Sequence, residues 1–292
     1  MAHTYNEIYL ELRRRLKEAG EEEYALEARR LLALAAGYAD SELITRLPMY
    51  VSDDVERKAR EYLDRRLSGE PAAYICGSWD FYGLPMVVNR NVLIPRMDTE
   101  VLVDTALKLL RGRPHPRVLD LCCGSGCIGC AVASRVPDAR VTLADISPEA
   151  LSVARKNVAL HNLKARCICM DADALSPPPL RMENYDMILS NPPYVTAAEI
   201  ETLDPSVKDW EPVLALDGGE DGLVFYRSIP ENWKSVLMDG GWLIFEIGEG
   251  QASSVAKLLE DAGFSAIQTV RDTLNTERVI MGQKNISARR YF

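Results

Sequence analysis

An α/β fold is predicted: a doubly wound, mostly parallel sheet with an antiparallel strand at its edge, preceded by a small all-α domain and a β-hairpin linker. Three observations carry that expectation. From Pro116 onward, short apolar runs alternate with helical stretches, the pattern of a parallel sheet wrapped by helices. Before residue 70 the apolar residues recur at helical spacing. Between the two lies a stretch of β-like runs punctuated by turn residues.

The helical part runs from about Ile8 to Leu67. Ile8, Leu12 and Leu16 share one face, and Leu26, Leu31 and Leu34 follow at similar spacing. "SDDVERKAREYLDRRLSG" opens a further helix with Ser52 or Asp53 as its N-cap and stops at Gly69. Residues 1–70 are therefore expected to form a helical domain, either as a scaffold or as a docking surface for a partner. In the next stretch Tyr74-Ile75, residues 79–82 and residues 86–88 are β-like, with Gly83 and Asn89 as turn signals. Residues 71–95 are expected to be a hairpin linker, and residues 96–292 the catalytic domain. Within the latter, "RVLDL", "RVTLADI", "ARCICM", "YDMILS" and "GWLIFEIG" are successive strands, with helices through Ala133, from Pro148 to His161, and across Ser254 to Ala262. "AIQTVRD" and "RVIMG" close the chain as an antiparallel pair.

Composition narrows the function. At 292 residues, 47% hydrophobic and 26% charged, the chain has the make-up of a globular protein able to hold a catalytic domain and a smaller one. No apolar run approaches the roughly 18–20 residues that span a bilayer, and the N-terminus alternates charged and apolar residues rather than forming a secretory signal. A cytoplasmic location with no membrane partner is expected. The net charge of −9 argues against broad phosphate neutralisation, so no direct nucleic-acid partner is expected. Arg13, Arg14 and Arg15 form a basic run best explained as a solvated helix face. The seven cysteines, several inside apolar segments, are expected to be reduced thiols used as small core residues.

Ligands of such sheets bind beyond the carboxyl ends of the strands, near the point where strand order reverses. After the first strand stands "DLCCGSGCIGC", with Asp120 and the Gly124-Ser125-Gly126 turn. Small residues let the backbone approach a ligand, and the following helix aims its N–H groups at it, although glycine also merely ends strands. Asp145, about 20 residues further on, sits where a carboxylate accepts hydrogen bonds from ribose hydroxyls; a helix N-cap is the other role open to it, one that Ser147 can fill instead. Directly after the fourth strand comes "NPPY", residues 191–194. Its two prolines remove two backbone donors and stiffen the chain, leaving the Asn191 side chain and the Pro192 carbonyl as acceptors beside an aromatic ring.

This last motif resembles the signature of class I S-adenosylmethionine-dependent methyltransferases that modify planar nitrogens. Together with "YICGSWDFYGLPMVV", "VLIPRMDTE", "NPPYV" and "WEPVLAL", the chain from about Pro71 to Gly282 resembles the HemK/PrmC family of peptide-chain release factor glutamine methyltransferases. The resemblance implies a seven-stranded Rossmann-like methyltransferase sheet. It implies S-adenosylmethionine as cofactor, S-adenosylhomocysteine as product, no metal, and release factors as protein substrate, methylated on N5 of the glutamine in their GGQ motif. It also implies cofactor contacts at Cys122, Cys123, Gly124, Ser125, Gly126 and Asp145. An adenine contact falls on Asp173-Ala174, or alternatively Asp171. Asn191, Pro192, Pro193 and Tyr194 would grip the glutamine amide, with Asn191, Pro192 and Tyr194 catalytic and Asn191 also reaching the cofactor. Arg96, Asp98 and Glu100 would shape the pocket, or "DTE" would simply cap a salt-bridged helix start. Two departures stand out. Cys122 and Cys123 replace the first glycine of the common loop and its successor, which is harmless only if that position needs no positive φ; and Ala174 is smaller than usual.

Three other readings remain. Cys123, Cys127 and Cys130 are spaced like the cluster ligands of radical S-adenosylmethionine enzymes, but an aromatic residue common before the third cysteine is missing. A DNA adenine N6-methyltransferase shares NPPY, yet the chain is acidic and lacks an obvious basic recognition domain. A regulatory module that binds S-adenosylmethionine without turnover is the non-enzymatic alternative.

Overall fold

The computed structural model describes residues 2–180, 182 and 184–286; residues 287–292 of the expected catalytic domain lie outside that range. The chain divides into two compact units, Met1–Ser78 with Asp204–Trp210, and Trp79–Leu203 with Glu211–Phe292. The boundary thus falls at residue 78 rather than 70, and the smaller unit takes in a piece of chain from far downstream.

The smaller unit is helical: α1 (Tyr5–Glu18), α2 (Tyr24–Ala36), α3 (Asp40–Arg46), α4 (Asp53–Leu67) and α5 (Ala72–Cys76). Thr4 and Glu7 form a capping box that opens α1, and Ser52 caps α4 through the Val55 N–H. Ile8, Leu12, Leu16, Leu31, Leu32 and Leu63 are its fully buried centre, as the helical spacing requires. The expected β-like run at Tyr74-Ile75 is instead the short helix α5. Pro71 precedes it, Gly77 ends it in the left-handed conformation, and its Ile75 joins the helical core. Tertiary burial overrides the β preference of those two residues.

The larger unit opens with a hairpin, β1 (Ser78–Phe81) and β2 (Leu84–Val87), turned by Tyr82 and Gly83, both at positive φ. It continues through α6 (Glu100–Leu110), β3 (Arg117–Leu121), α7 (Cys127–Arg135), β4 (Arg140–Asp145), α8 (Pro148–Leu160), β5 (Cys167–Asp171) and β6 (Tyr185–Ser190). Two one-turn helices follow, α9 (Ala197–Ile200) and, within the segment assigned to the helical unit, α10 (Pro205–Lys208). Then come α11 (Val224–Trp233), β7 (Leu237–Glu246), α12 (Ala252–Asp261), β8 (Phe264–Arg271) and β9 (Glu277–Lys284).

The seven strands lie in the order β5-β4-β3-β6-β7-β9-β8. β3, β4, β5, β6 and β7 pair in parallel, whereas β9 runs antiparallel to both β7 and β8. The antiparallel strand therefore lies one place in from the edge, and β8 forms the edge itself. Alternate residues feed two cores. Val118, Leu189 and Ile244 pack with α6, α7 and α8, while Leu119, Ile188 and Phe245 pack with α11 and α12. Strand order reverses between β3 and β6, which fixes where a ligand crevice opens. Among the described residues no helix is long and apolar enough to cross a membrane.

Candidate active site

The turn after β3 is built from left-handed residues at every second position: Cys122 (φ 61), Gly124 (φ 52) and Gly126 (φ 75). That alternation curls the backbone into a concave cradle at the head of α7. Cys122 does sit at positive φ, so replacing the loop's first glycine is not free, and the site stores backbone strain there. The cradle is pinned from three sides. Gly124 N–H donates to Asp145 Oδ2 (2.8 Å), Cys123 N–H to the Ala144 carbonyl (3.0 Å), and the fully buried Asn157 of α8 donates from Nδ2 to the Ser125 carbonyl (2.9 Å). Asn157 also exchanges hydrogen bonds with both backbone groups of Val87, tying the hairpin to the same turn.

Asp120 stands beneath the cradle. It is fully buried, its Oδ2 accepts the Gly129 N–H at 2.9 Å, and its Oδ1 has no partner. Burial pushes its pKa up to about 7, with Asp145 adding to the effect. Gly129 is obligatory because a Cβ there would collide with Leu143. Asp145 accepts N–H groups from Gly124 and Ser147 (2.9 Å), while Ser147 itself caps α8. The cap role thus goes to Ser147, and the Asp145 carboxyl, held above its usual range by burial, faces the cavity. In the turn after β5, Asp173 accepts the Leu175 N–H (2.9 Å) and the Ser176 hydroxyl (2.7 Å), so its carboxylate shapes its own loop. Asp171 ends β5 and does not line the cavity.

The NPPY turn follows β6 directly. Ser190 Oγ donates to the Leu121 carbonyl (2.7 Å), clamping β6 to β3 at the crevice. Tyr194 is held from behind by glycines: a Cβ on Gly218 would come within 2.6 Å of Tyr194 Cα, and Gly222 and Gly248 also crowd this residue. Gln251 Nε2 donates to the Tyr194 carbonyl at 3.3 Å. Burial raises the Tyr194 phenol to about 12. Asn191 Nδ2 donates to Thr99 Oγ1 at 3.4 Å. Behind Thr99 lies Glu246 at the end of β7, whose pKa burial pushes up to about 7, with Asp98 reinforcing and a hydrogen bond from Thr99 opposing the shift.

These turns enclose one cavity of about 170 Å³. It brings together Arg96, Cys122, Cys123, Gly124, Ser125, Asp145, Asp173, Ala174, Asn191 and Pro193 of the expected residues. Asp98, Glu100, Asp120, Gly126, Pro192 and Tyr194 stand outside its lining. Asp98 pairs with Arg278 (3.0 Å), and Glu100 accepts the Tyr82 N–H (2.7 Å). Thr99, the middle residue of "DTE", holds the N-cap position of α6, but no side-chain cap bond forms there. Arg96 pairs with the buried Glu211, which also accepts the Ile94 N–H at 3.0 Å, so "IPR" and "WEP" form one wall. Sequence reasoning missed the apolar walls Leu93, Ile146, Leu175, Leu214 and Phe225, and the buried Thr99. Cys123, Cys127 and Cys130 are buried thiols whose pKa values burial raises, Cys127 to about 12, and among the described residues none belongs to a group placed to hold a metal ion. The concave backbone, the Asp145 carboxyl and the apolar walls suit a nucleoside carrying a charged tail.

Comparison with known proteins agrees with this geometry. A family model described as "PrmC N-terminal domain" matches residues 7–77, and one described as "Methyltransferase small domain" matches residues 97–226. The release factor glutamine methyltransferase of Clostridium acetobutylicum is 38% identical over 91% of this chain and 93% of its own length. That of Caulobacter vibrioides is 39% identical over 93% of each. A methyltransferase from Pyrococcus furiosus shares the fold alone, at 15% identity and a TM-score of 0.51 over 79% of this chain and 98% of that one.

Proposed function

The chain belongs to the release factor glutamine methyltransferase family, and from that premise we infer how its cavity serves the reaction. It is an S-adenosylmethionine-dependent protein-(glutamine-N5) methyltransferase acting on release factors. The observation that carries the reading is that Asn191 and Asp145 face one cavity floored by Cys122, Cys123, Gly124 and Ser125 of the cradle.

The residues fit the cofactor. Asp145 would accept the ribose hydroxyls, Ile146, Leu175 and Phe225 would cover the adenine, and the cradle N–H groups would face the charged tail. When bound, S-adenosylmethionine supplies a methyl group already activated on a sulfonium. A glutamine amide nitrogen is a poor nucleophile, so the protein must position it rather than deprotonate it. Asn191 Oδ1 and the Pro192 carbonyl accept its two N–H bonds, directing the nitrogen at the methyl and stabilising the positive charge that grows there. The amide proton becomes acidic once the nitrogen is alkylated, and no dedicated base is needed. Tyr194 acts by anchoring the turn. Arg96, tied to Glu211, holds the facing wall.

The target glutamine is that of the GGQ motif, and the helical unit contributes docking. Radiolabelled methyl transfer to purified release factor tests this, with a GGQ to GGA variant and duplex DNA as alternatives. Label in the release factor alone is expected; label in DNA or in the GGA variant would replace the reading. Asn191→Ala is expected to lower single-turnover methyl transfer roughly 100-fold. A native rate with weakened cofactor binding would show that Asn191 serves the cofactor only.

A further inference from the structure

We propose that Gln251 is a positioning residue for methyl transfer: its amide fixes the NPPY turn at the end away from β6 and so sets where the Asn191 and Pro192 acceptors stand. The inference rests on the function proposed above and adds to it a residue outside the cavity lining.

Gln251 holds the N-cap position of α12, yet its side chain makes no cap hydrogen bond there. The amide is committed elsewhere. Oε1 accepts the Gly248 N–H at 2.9 Å, and Nε2 donates to the Tyr194 and Gly222 carbonyls at 3.3 Å each. One donor and two acceptors admit a single orientation of the amide. Exchanging its ends would set Nε2 against an N–H and Oε1 against two carbonyls. The surrounding loops are shaped to the side chain as well. A Cβ on Gly222 would come within 2.8 Å of Gln251 Nε2, and one on Gly248 within 2.9 Å of Oε1 and 3.0 Å of Tyr194 Cδ2.

The turn held in this way cannot anchor its own middle. Pro192 and Pro193 have no N–H with which to bind neighbouring backbone. Ser190 holds the start of the turn through the Leu121 carbonyl (2.7 Å). Past the turn, Val195 donates its N–H to the Leu216 carbonyl and accepts the Gly218 N–H, both at 2.9 Å, which leaves the tilt of the Tyr194 peptide to Gln251. With φ locked at two consecutive residues the segment is stiff. A shift at Tyr194 therefore carries back to Pro192 and Asn191 instead of dying out between them.

The test compares Gln251→Met, which keeps the length and removes both polar ends, with Gln251→Glu. Assayed near pH 8, well above the ordinary glutamate range, the second variant keeps the acceptor for Gly248 and loses the donor to the two carbonyls. Thermal unfolding checks the fold, calorimetry reads cofactor affinity, and kcat and KM are read with whole release factor. Both variants are expected to lower kcat about 10- to 100-fold, with KM and cofactor affinity held within about 3-fold, because a misplaced acceptor pair costs rate more than binding. Each change is then combined with Asn191→Ala. Replacing Gln251 should cost less in that background, where one of the two acceptors it positions is already gone. A native kcat for either variant, a loss confined to KM or cofactor affinity, or equal fold-losses in the two backgrounds would each overturn the proposal. If Gln251→Met does not fold, Gln251→Glu still decides, since it retains the Gly248 bond. Absence of methyl transfer by the native chain, or a native rate for Asn191→Ala, would instead overturn the parent function, so the two failures are separable.

Discussion

At the scale of single residues, two positions behave in ways their side chains do not advertise. Cys122 occupies the left-handed region, where glycine is at ease and a Cβ costs roughly 1 kcal/mol or more. Cys122→Gly is thus expected to be about 1 kcal/mol more stable to urea than Cys122→Ala, since both lose the thiol but only alanine keeps the strain. Asp120 is a buried carboxyl with its folded pKa raised to about 7. The unfolded chain loses this proton near pH 4, so the folded form holds it longer, and stability falls as pH climbs from 4 to 7 before levelling. Asp120→Asn removes that slope while keeping an acceptor for Gly129. Its advantage over the native chain should grow between pH 5 and 7 toward a plateau on the order of 2–4 kcal/mol, measured by denaturant unfolding. Asn191 and Asp145 were legible in the sequence because one directly follows an apolar strand and the other ends one. Thr99, Asn157 and Glu246 were not. They come from a turn, a helix and a strand end far apart in the chain, and only folding sets Asn157 behind the cradle and Thr99 and Glu246 behind the NPPY turn. Nor does a cysteine in a sequence signal a positive φ.

At the scale of elements, the NPPY turn depends on what packs behind it more than on its own prolines. Gly218 has no positive φ, so its requirement is purely one of space against the Tyr194 backbone. Gly218→Ala is expected to displace the turn and lower kcat roughly 10- to 100-fold, because small misplacements of a reacting group are costly. Cofactor affinity, which the proposed reading assigns to the turns after β3 and β4, should change little; calorimetry beside single-turnover rates checks both. An unaltered rate would mean that the turn relaxes without moving Asn191. The strands of the sheet were readable from their apolar runs, whereas α11 was not. "VFYRSIPENW" carries Pro230 within the helix and aromatic residues that suit a strand equally well. Its helical form is decided by Tyr226, Ile229 and Trp233 packing on the sheet. Tyr74-Ile75 failed in the opposite sense, as β-formers drawn into a helical core.

At the scale of the whole molecule, a small cavity must find one glutamine on a large partner, and a second contact raises the effective concentration of the first. Removing residues 1–69 is expected to reduce kcat/KM on whole release factor by more than on a short GGQ peptide. The ratio between substrates, not the absolute rate, is the measurement, because the truncation also strips the surroundings of residues 204–210. Equal losses on both substrates would end the docking role. The helical unit's existence was legible from spacing, but its last piece was not, since nothing local marks Asp204–Trp210 as belonging with helices so far upstream. That piece has a consequence for synthesis and for engineering. On the ribosome the helical unit cannot be completed until β3, β4, β5 and β6 have already emerged, so its final assembly waits on the other unit's strands. For the same reason a chimera that exchanges only the first 78 residues between relatives inherits a mismatched seam, and a functional exchange has to carry residues 204–210 along with them.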